Sequence, residues 1–252
     1  MKESGIRISV VSYLNSKPFI RGLRNASFPQ PVDIQLDIPS VCADKLANGS
    51  ADIGLVPVAM LPSIPGHRII SNYCIGADGP VSSVLLLSQV PLEEIRTILL
   101  DYQSRTSVML ARVLAGNLWN IQPEWQQTEA GFESLIRDQT AAVIIGDRAL
   151  QVHAKYPYVY DLSEEWKKMT GLPFVFACWV ATKELEDEFI DDFNLALRNG
   201  LLDIDDIAQE EKSGFLTEEE VRHYLTENIR YDFSDKMKKA MDTFLSMALQ
   251  IA

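Results

Sequence analysis

Apolar and polar positions along this chain change their period several times, and each change marks a predicted element. Ile6–Val11 alternates and then runs apolar, as a half-buried strand does, and Pro18 opens a helix that turns Phe19, Ile20 and Leu23 inward. A second strand is predicted over residues 32–38. Ser40 then reads as the N-cap of a helix from Val41 to about Asn48, stopped by Gly49. Residues 51–56 form a short buried strand ended by Pro57. Together these make one α/β lobe with a mainly parallel sheet.

Two longer apolar runs, residues 83–87 and 173–181, have the character of strands buried on both faces. Between them lies a second α/β set. Strands are predicted at 95–100, 142–145 and 159–162, and helices at 104–116, 132–138 and 148–155. Beyond Lys183 the chain becomes helical and charged. The clearest helix is 234–249, which places Met237, Met241, Phe244, Leu245 and Ala248 on one side with Ser234 as a candidate cap. The pattern predicts an inserted lobe: residues 1–88 begin the first lobe, 89–176 form the second, and 177–252 return as a strand and helical tail that complete the first. The two apolar runs would be the crossover strands, with a ligand cleft between the lobes.

Composition narrows the partners. Among 252 residues, Asp and Glu number 35 against 23 Lys and Arg, a formal net charge of −12. Nucleic acid needs a concentrated basic surface, and no run of Lys and Arg supplies one. A small anionic ligand remains compatible, because local amides can hold it within an acidic protein. No run reaches the roughly 18 apolar residues of a membrane span, and no secretory leader pattern opens the chain, so neither a membrane nor export is expected. Cys42, Cys74 and Cys178 have no metal-ligand spacing, and they fit buried thiols in a reducing cytoplasm. His67, His153 and His223 are too scattered to suggest a metal triad. The oligomeric state is not legible.

Four segments carry candidate chemistry. Ser12-Tyr13-Leu14-Asn15-Ser16-Lys17-Pro18 follows the first strand, where open α/β sheets bind ligands, and Asn15 either orients a polar substrate or forms an Asx turn. Gly79-Pro80-Val81-Ser82-Ser83-Val84 is a turn whose two hydroxyls either meet a ligand or satisfy turn amides; no neighbouring base supports a serine nucleophile. Asp101-Tyr102-Gln103-Ser104-Arg105-Thr106-Ser107 leads from strand to helix. There Ser104, Arg105, Thr106 and Ser107 are candidates for an anion site, against a plain Ser N-cap. In Ile144-Ile145-Gly146-Asp147-Arg148, Asp147 either caps the next helix or faces the cleft.

Taken together, and with Asp161-Leu162 to Trp166 and Thr170-Gly171-Leu172-Pro173-Phe174-Val175-Phe176-Ala177, these motifs resemble the chorismate dehydratases of the futalosine route to menaquinone. The resemblance spans about residues 6–182 in order and spacing, and the helical tail adds little to it. It implies a type II periplasmic-binding-protein-like fold, α/β with two lobes joined by two crossover strands and a helical C-terminal tail. It also implies a carbon–oxygen lyase (a hydro-lyase) that converts chorismate to 3-enolpyruvylbenzoate without metal or organic cofactor. Family knowledge points to Asn15 and Ser83 as the catalytic pair. Ser82, Ser104, Arg105, Thr106, Ser107 and Asp147 are then expected to bind substrate. Two other classes compete: a non-catalytic solute-binding protein of the same fold, and the related 1,4-dihydroxy-6-naphthoate synthase. The expected absence of an export signal disfavours the first, and the Gly-Pro-Val and Thr-Gly-Leu-Pro-Phe motifs disfavour the second.

Overall fold

A computed structural model of the chain describes residues 5–152 and 155–251. Among them two mixed sheets form. β1 (Ile6–Val11), α1 (Lys17–Asn25), β2 (Val32–Asp37), α2 (Pro39–Ala47), β3 (Ile53–Pro57) and β4 (Arg68–Ala77) open the first unit. The chain then crosses to the second through β5 (Val84–Ser88), β6 (Thr97–Leu100), α3 (Arg105–Leu114), β7 (Glu124–Gln127), β8 (Thr140–Ile145), α4 (Asp147–Val152), β9 (Tyr158–Asp161) and α5 (Leu162–Thr170). It returns on β10 (Phe174–Ala181) and finishes with α6 (Asp187–Leu202), α7 (Ile204–Glu211), α8 (Glu218–His223), β11 (Arg230–Asp232) and α9 (Asp235–Leu249). The strand orders are β11-β4-β10-β3-β1-β2 and β7-β6-β8-β5-β9.

Neither sheet is mainly parallel, contrary to the expectation from alternating elements. β10 runs antiparallel to β3 and β4, and β5 runs antiparallel to β8 and β9. The strands next to the crossings enter each sheet from its far side, so they oppose their neighbours. The run at 83–87 is also not itself a crossing strand. β5 is paired throughout with β8 and β9, and the connection is the non-strand segment 78–83. Sheet membership therefore puts β5 in the second unit, before the expected boundary at 88/89.

Local chemistry explains the other differences. Helix α2 begins at Pro39 with Ile38 extended before it, because proline fits the first helical position and disfavours helix for its predecessor. Ser40 consequently sits inside the first turn rather than at the cap. Residues 132–138 contain one tight turn, Phe132–Leu135, between Gly131 and Asp138, which both have positive φ. The helix expected over 148–155 is α4, Asp147–Val152; His153 and Ala154 lie outside the described residues. Ser234 occupies the cap position of α9 but makes no side-chain cap bond.

The first unit packs its helices unusually closely. A Cβ at Gly22 of α1 would lie 2.0 Å from the Ala196 carbonyl oxygen, and one at Gly200 of α6 would lie 1.9 Å from that of Pro18. These helices touch backbone to backbone, which only glycine allows. Behind them Phe19, Trp179 and Phe193 pack edge to face. The tail thus forms part of the first unit's core, and this packing carries its tyrosines to the cleft.

Candidate active site

Where the two sheets meet, a cavity encloses about 500 Å³ not occupied by protein atoms, its mouth included. Its floor comes from strand ends: Val11, Leu55, Ile75, Ile145 and Phe176 supply an apolar surface. The polar lining is Tyr13, Asn15, Ser16, Ser83, Ser104 and Ser107. No carboxylate, lysine, arginine or histidine is among the described residues that line it. Ser16, Pro39 and Ser104 bring the starts of α1, α2 and α3 to its wall, so positive helix ends offset the lack of cations.

Asn15 sits in the short turn before α1. Its Oδ1 accepts from Ser16 Oγ at 3.1 Å, and its backbone carbonyl accepts from the Tyr231 hydroxyl at 3.0 Å. Ser83 is buried at the end of the crossing segment, and its Oγ accepts from the Tyr224 hydroxyl at 2.8 Å. Its carbonyl holds Gly146 N at 2.8 Å.

The other expected residues divide. Ser104 and Ser107 line the cavity but are engaged with each other: Ser107 N donates to Ser104 Oγ at 3.1 Å, and the hydroxyls are 2.9 Å apart. This is the N-cap of α3. Ser82 and Thr106 are not among the lining residues. Ser82 N donates at 2.6 Å to Asp161, and Thr106 Oγ1 accepts from Ala59 N at 3.2 Å. Arg105 is exposed on the first turn of α3 and is not part of the lining, because one helical step from Ser104 rotates it to the outer face. Asp147 does not cap α4; it is the helix's first residue, and its Oδ1 accepts from Leu14 N at 3.1 Å, bridging the two units.

Two buried carboxylates shape the walls. Asp161 accepts four backbone N–H groups, from Val81 (2.9 Å), Ser82 (2.6 Å), Ser163 (3.0 Å) and Glu164 (3.2 Å). It caps α5 and pins the crossing segment, where Ser82 has φ +61°, so that Ser83 has one position. Burial pushes its carboxyl above the ordinary value against the pull of those four donors. Asp101 is likewise raised by burial, and it is held by Arg148 at 2.6 and 2.8 Å and by Ile145 N at 3.1 Å. Arg148 also pairs with Glu133 at 2.7 Å and lies over the Tyr102 ring. From this cluster Gln103 reaches across to hydrogen-bond the Tyr13 hydroxyl, and its carbonyl accepts Ser40 N at 3.2 Å. Burial raises the Tyr13 phenol well above the usual tyrosine value.

The sequence reading assigned no role to Tyr224 or Tyr231. A signal existed in Val221, Tyr224 and Leu225, whose three- and four-residue spacing marks a buried helical face. A tyrosine on such a face needs a partner for its hydroxyl. Nothing in the sequence says that the partner is Ser83, 141 residues earlier.

Comparison with known proteins supplies a further finding. A family model described as menaquinone biosynthesis matches residues 6–250. The chain is 26% identical over 196 residues to the chorismate dehydratase of Thermus thermophilus, covering 70% of this chain and 71% of that protein. It is 36% identical over 111 residues to the chorismate dehydratase of Campylobacter jejuni subsp. jejuni, covering 42% of this chain and about half of that relative, 48%. Among solved structures, protein AF1704 from Archaeoglobus fulgidus superposes with a TM-score of 0.73 at 12% identity, covering 97% of both chains. The Candida albicans CA3427 gene product, described as having the generic periplasmic binding protein structural fold, gives 0.65 at 11% identity over 99% of this chain and 91% of that one. At these identities the structural likenesses show the fold, which is periplasmic-binding-protein-like.

Proposed function

The chain belongs to the menaquinone biosynthesis family, and from that membership we propose that it is a chorismate dehydratase, a hydro-lyase releasing 3-enolpyruvylbenzoate and water. We assign it to the cytoplasm and to the futalosine route on the same reading. The observation that carries the chemistry is the composition of the cavity wall: among the described residues it presents hydroxyls, one amide and apolar side chains, and no acid–base group charged at neutral pH.

Chorismate is a ring diene bearing two carboxylates. The apolar floor suits the ring, and the starts of α1, α2 and α3 suit the carboxylates. Elimination breaks the C3–H and C4–O bonds, and the C3–H electron pair becomes the third double bond of an aromatic ring. Neither Asn15 nor Ser83 is an effective unaided base at neutral pH. The substrate's own enolpyruvyl carboxylate therefore accepts the C3 proton. Ser83 Oγ–H and an Asn15 amide N–H donate hydrogen bonds to the departing C4 oxygen, which takes up that proton from the substrate's carboxylic acid and leaves as water, regenerating the carboxylate. The protein's contribution is orientation, which supplies up to about 7–11 kcal/mol of barrier reduction in well-aligned systems.

The test is direct. Purified protein mixed with chorismate should consume the diene absorbance and yield a product lighter by one water, identified as 3-enolpyruvylbenzoate by mass spectrometry. Saturable binding without that product would point to a solute-binding protein instead.

A further inference from the structure

We propose that Tyr224 is a positioning residue of this site, which fixes the Ser83 hydroxyl as a hydrogen-bond donor toward the cavity. The proposal rests on the dehydratase reading and names a component of the same site.

The argument starts with donor capacity. A serine hydroxyl has one proton and can rotate, so its direction is set by whatever else it bonds. Tyr224 approaches Ser83 Oγ at 2.8 Å with both groups buried. A phenol is the stronger donor of the two and an aliphatic hydroxyl the better acceptor. Once Oγ accepts from Tyr224, the serine proton must go elsewhere. Ser83 lines the cavity, and its backbone carbonyl is already used by Gly146 N. The cavity is the direction left for that proton.

Asn15 is held from the same stretch of the tail. Its Oδ1 is occupied by Ser16 Oγ, and its backbone carbonyl accepts from the Tyr231 hydroxyl at 3.0 Å. Burial, helped by the Asp147 and Asp161 charges, raises the Tyr224 phenol well above the usual tyrosine value.

The backbone is arranged to hold this geometry. Tyr224 begins a wide turn, Tyr224–Asn228, after α8. Asn228 from that turn donates to the Pro80 carbonyl at 3.1 Å in the crossing segment, and Tyr231 on β11 donates to the Asn15 carbonyl at 3.0 Å. One stretch of the tail therefore touches both halves of the expected catalytic pair.

The experiment is a double-mutant cycle on steady-state turnover of chorismate with Y224F and S83A. Y224F keeps the ring and its packing, so its melting temperature should stay near wild type. Its kcat should fall about tenfold or more with KM little changed, since the lost bond acts on the reacting hydroxyl rather than on affinity. In the S83A background, Y224F should cost almost nothing further. A Y224F enzyme with wild-type kcat, or losses that multiply in the double variant, would overturn the assignment while leaving the dehydratase reading intact. A wild-type protein that makes no product overturns the reading and the assignment together.

Discussion

The carboxylate of Asp147, on the second unit, accepts the backbone N–H of Leu14, on the first, at 3.1 Å. The bond joins the two units at the residue before Asn15, so it ties the expected catalytic loop to the second unit. Burial raises the Asp147 carboxyl, outweighing the pull of Leu14 N–H and Lys17. The fold therefore holds this proton more tightly than the unfolded chain does. Its contribution favours folding at acid pH and is lost as pH rises from the ordinary carboxylate range through the raised folded value. D147N keeps an acceptor for Leu14 and has no charge to desolvate. Its melting temperature relative to wild type should rise as pH increases upward from the ordinary carboxylate range. A gap that is constant, or widest at the acid end, contradicts this account.

Arg105 and Ser83 should separate cleanly in kinetics. Arg105 is exposed and stands off the cavity. R105A should keep kcat/KM for chorismate within about threefold of wild type, whereas S83A and N15A should each lose about 100-fold, comparable to removing one donor at a transition-state oxyanion. Wild-type turnover by N15A or by S83A would remove that residue from the chemistry.

Arg148 balances the buried Asp101 charge. Replacing it by methionine keeps part of the stem packing over Tyr102 and Phe132 but leaves the carboxylate uncompensated. R148M should lose roughly 3–5 kcal/mol of stability in denaturant titration, and adding D101N should recover part of it. Equal stability of R148M and wild type would mean that the pair contributes little.

Gly146 has φ +64°, and a Cβ there would sit 2.9 Å from the Tyr13 ring. G146A should displace Tyr13 from Gln103 and cost about 1–3 kcal/mol of stability from the left-handed backbone alone. Activity should fall further than G49A lowers it, since Gly49 has a similar φ of +75° with nothing near its Cβ. Equal loss in the two variants would show that the ring contact is unimportant.

Much of this architecture was legible because it depends on local signals. Pro18, Gly49 and Pro57 punctuate the first unit where the structure does, and the apolar run at 173–181 is β10 almost residue for residue. Strand direction was not legible, because pairing depends on where the chain re-enters a sheet and leaves no trace in a strand's own residues. β4 escaped notice since Ser71 and Asn72 interrupt its apolar pattern; the buried Ser71 hydroxyl bonds to Asn194 of α6, whereas Asn72 is exposed and meets Asn194 only through its backbone N–H. Among the cavity-lining residues, Asn15 and Ser104 could be named because they sit at strand-to-helix turns, Ser107 because it lies in the first turn of the helix that follows, and Ser83 because the Gly79-Pro80 turn leads into a strand. Arg105 was misjudged because a turn places one face of a new helix on the ligand and swings its neighbour outward. Tyr224 had no chance of assignment, its partner being distant in sequence.

That distance has a consequence for the order in which the molecule is made. Asn15 and Ser83 leave the ribosome early, along with the strands of both sheets through β10, yet the phenols that hold them lie at 224 and 231. A chain ending after β10 would lack both phenols and also α6, which packs backbone to backbone on α1 and sets Phe193 against Trp179. Core and hydroxyl geometry are therefore both completed only by the final stretch of synthesis.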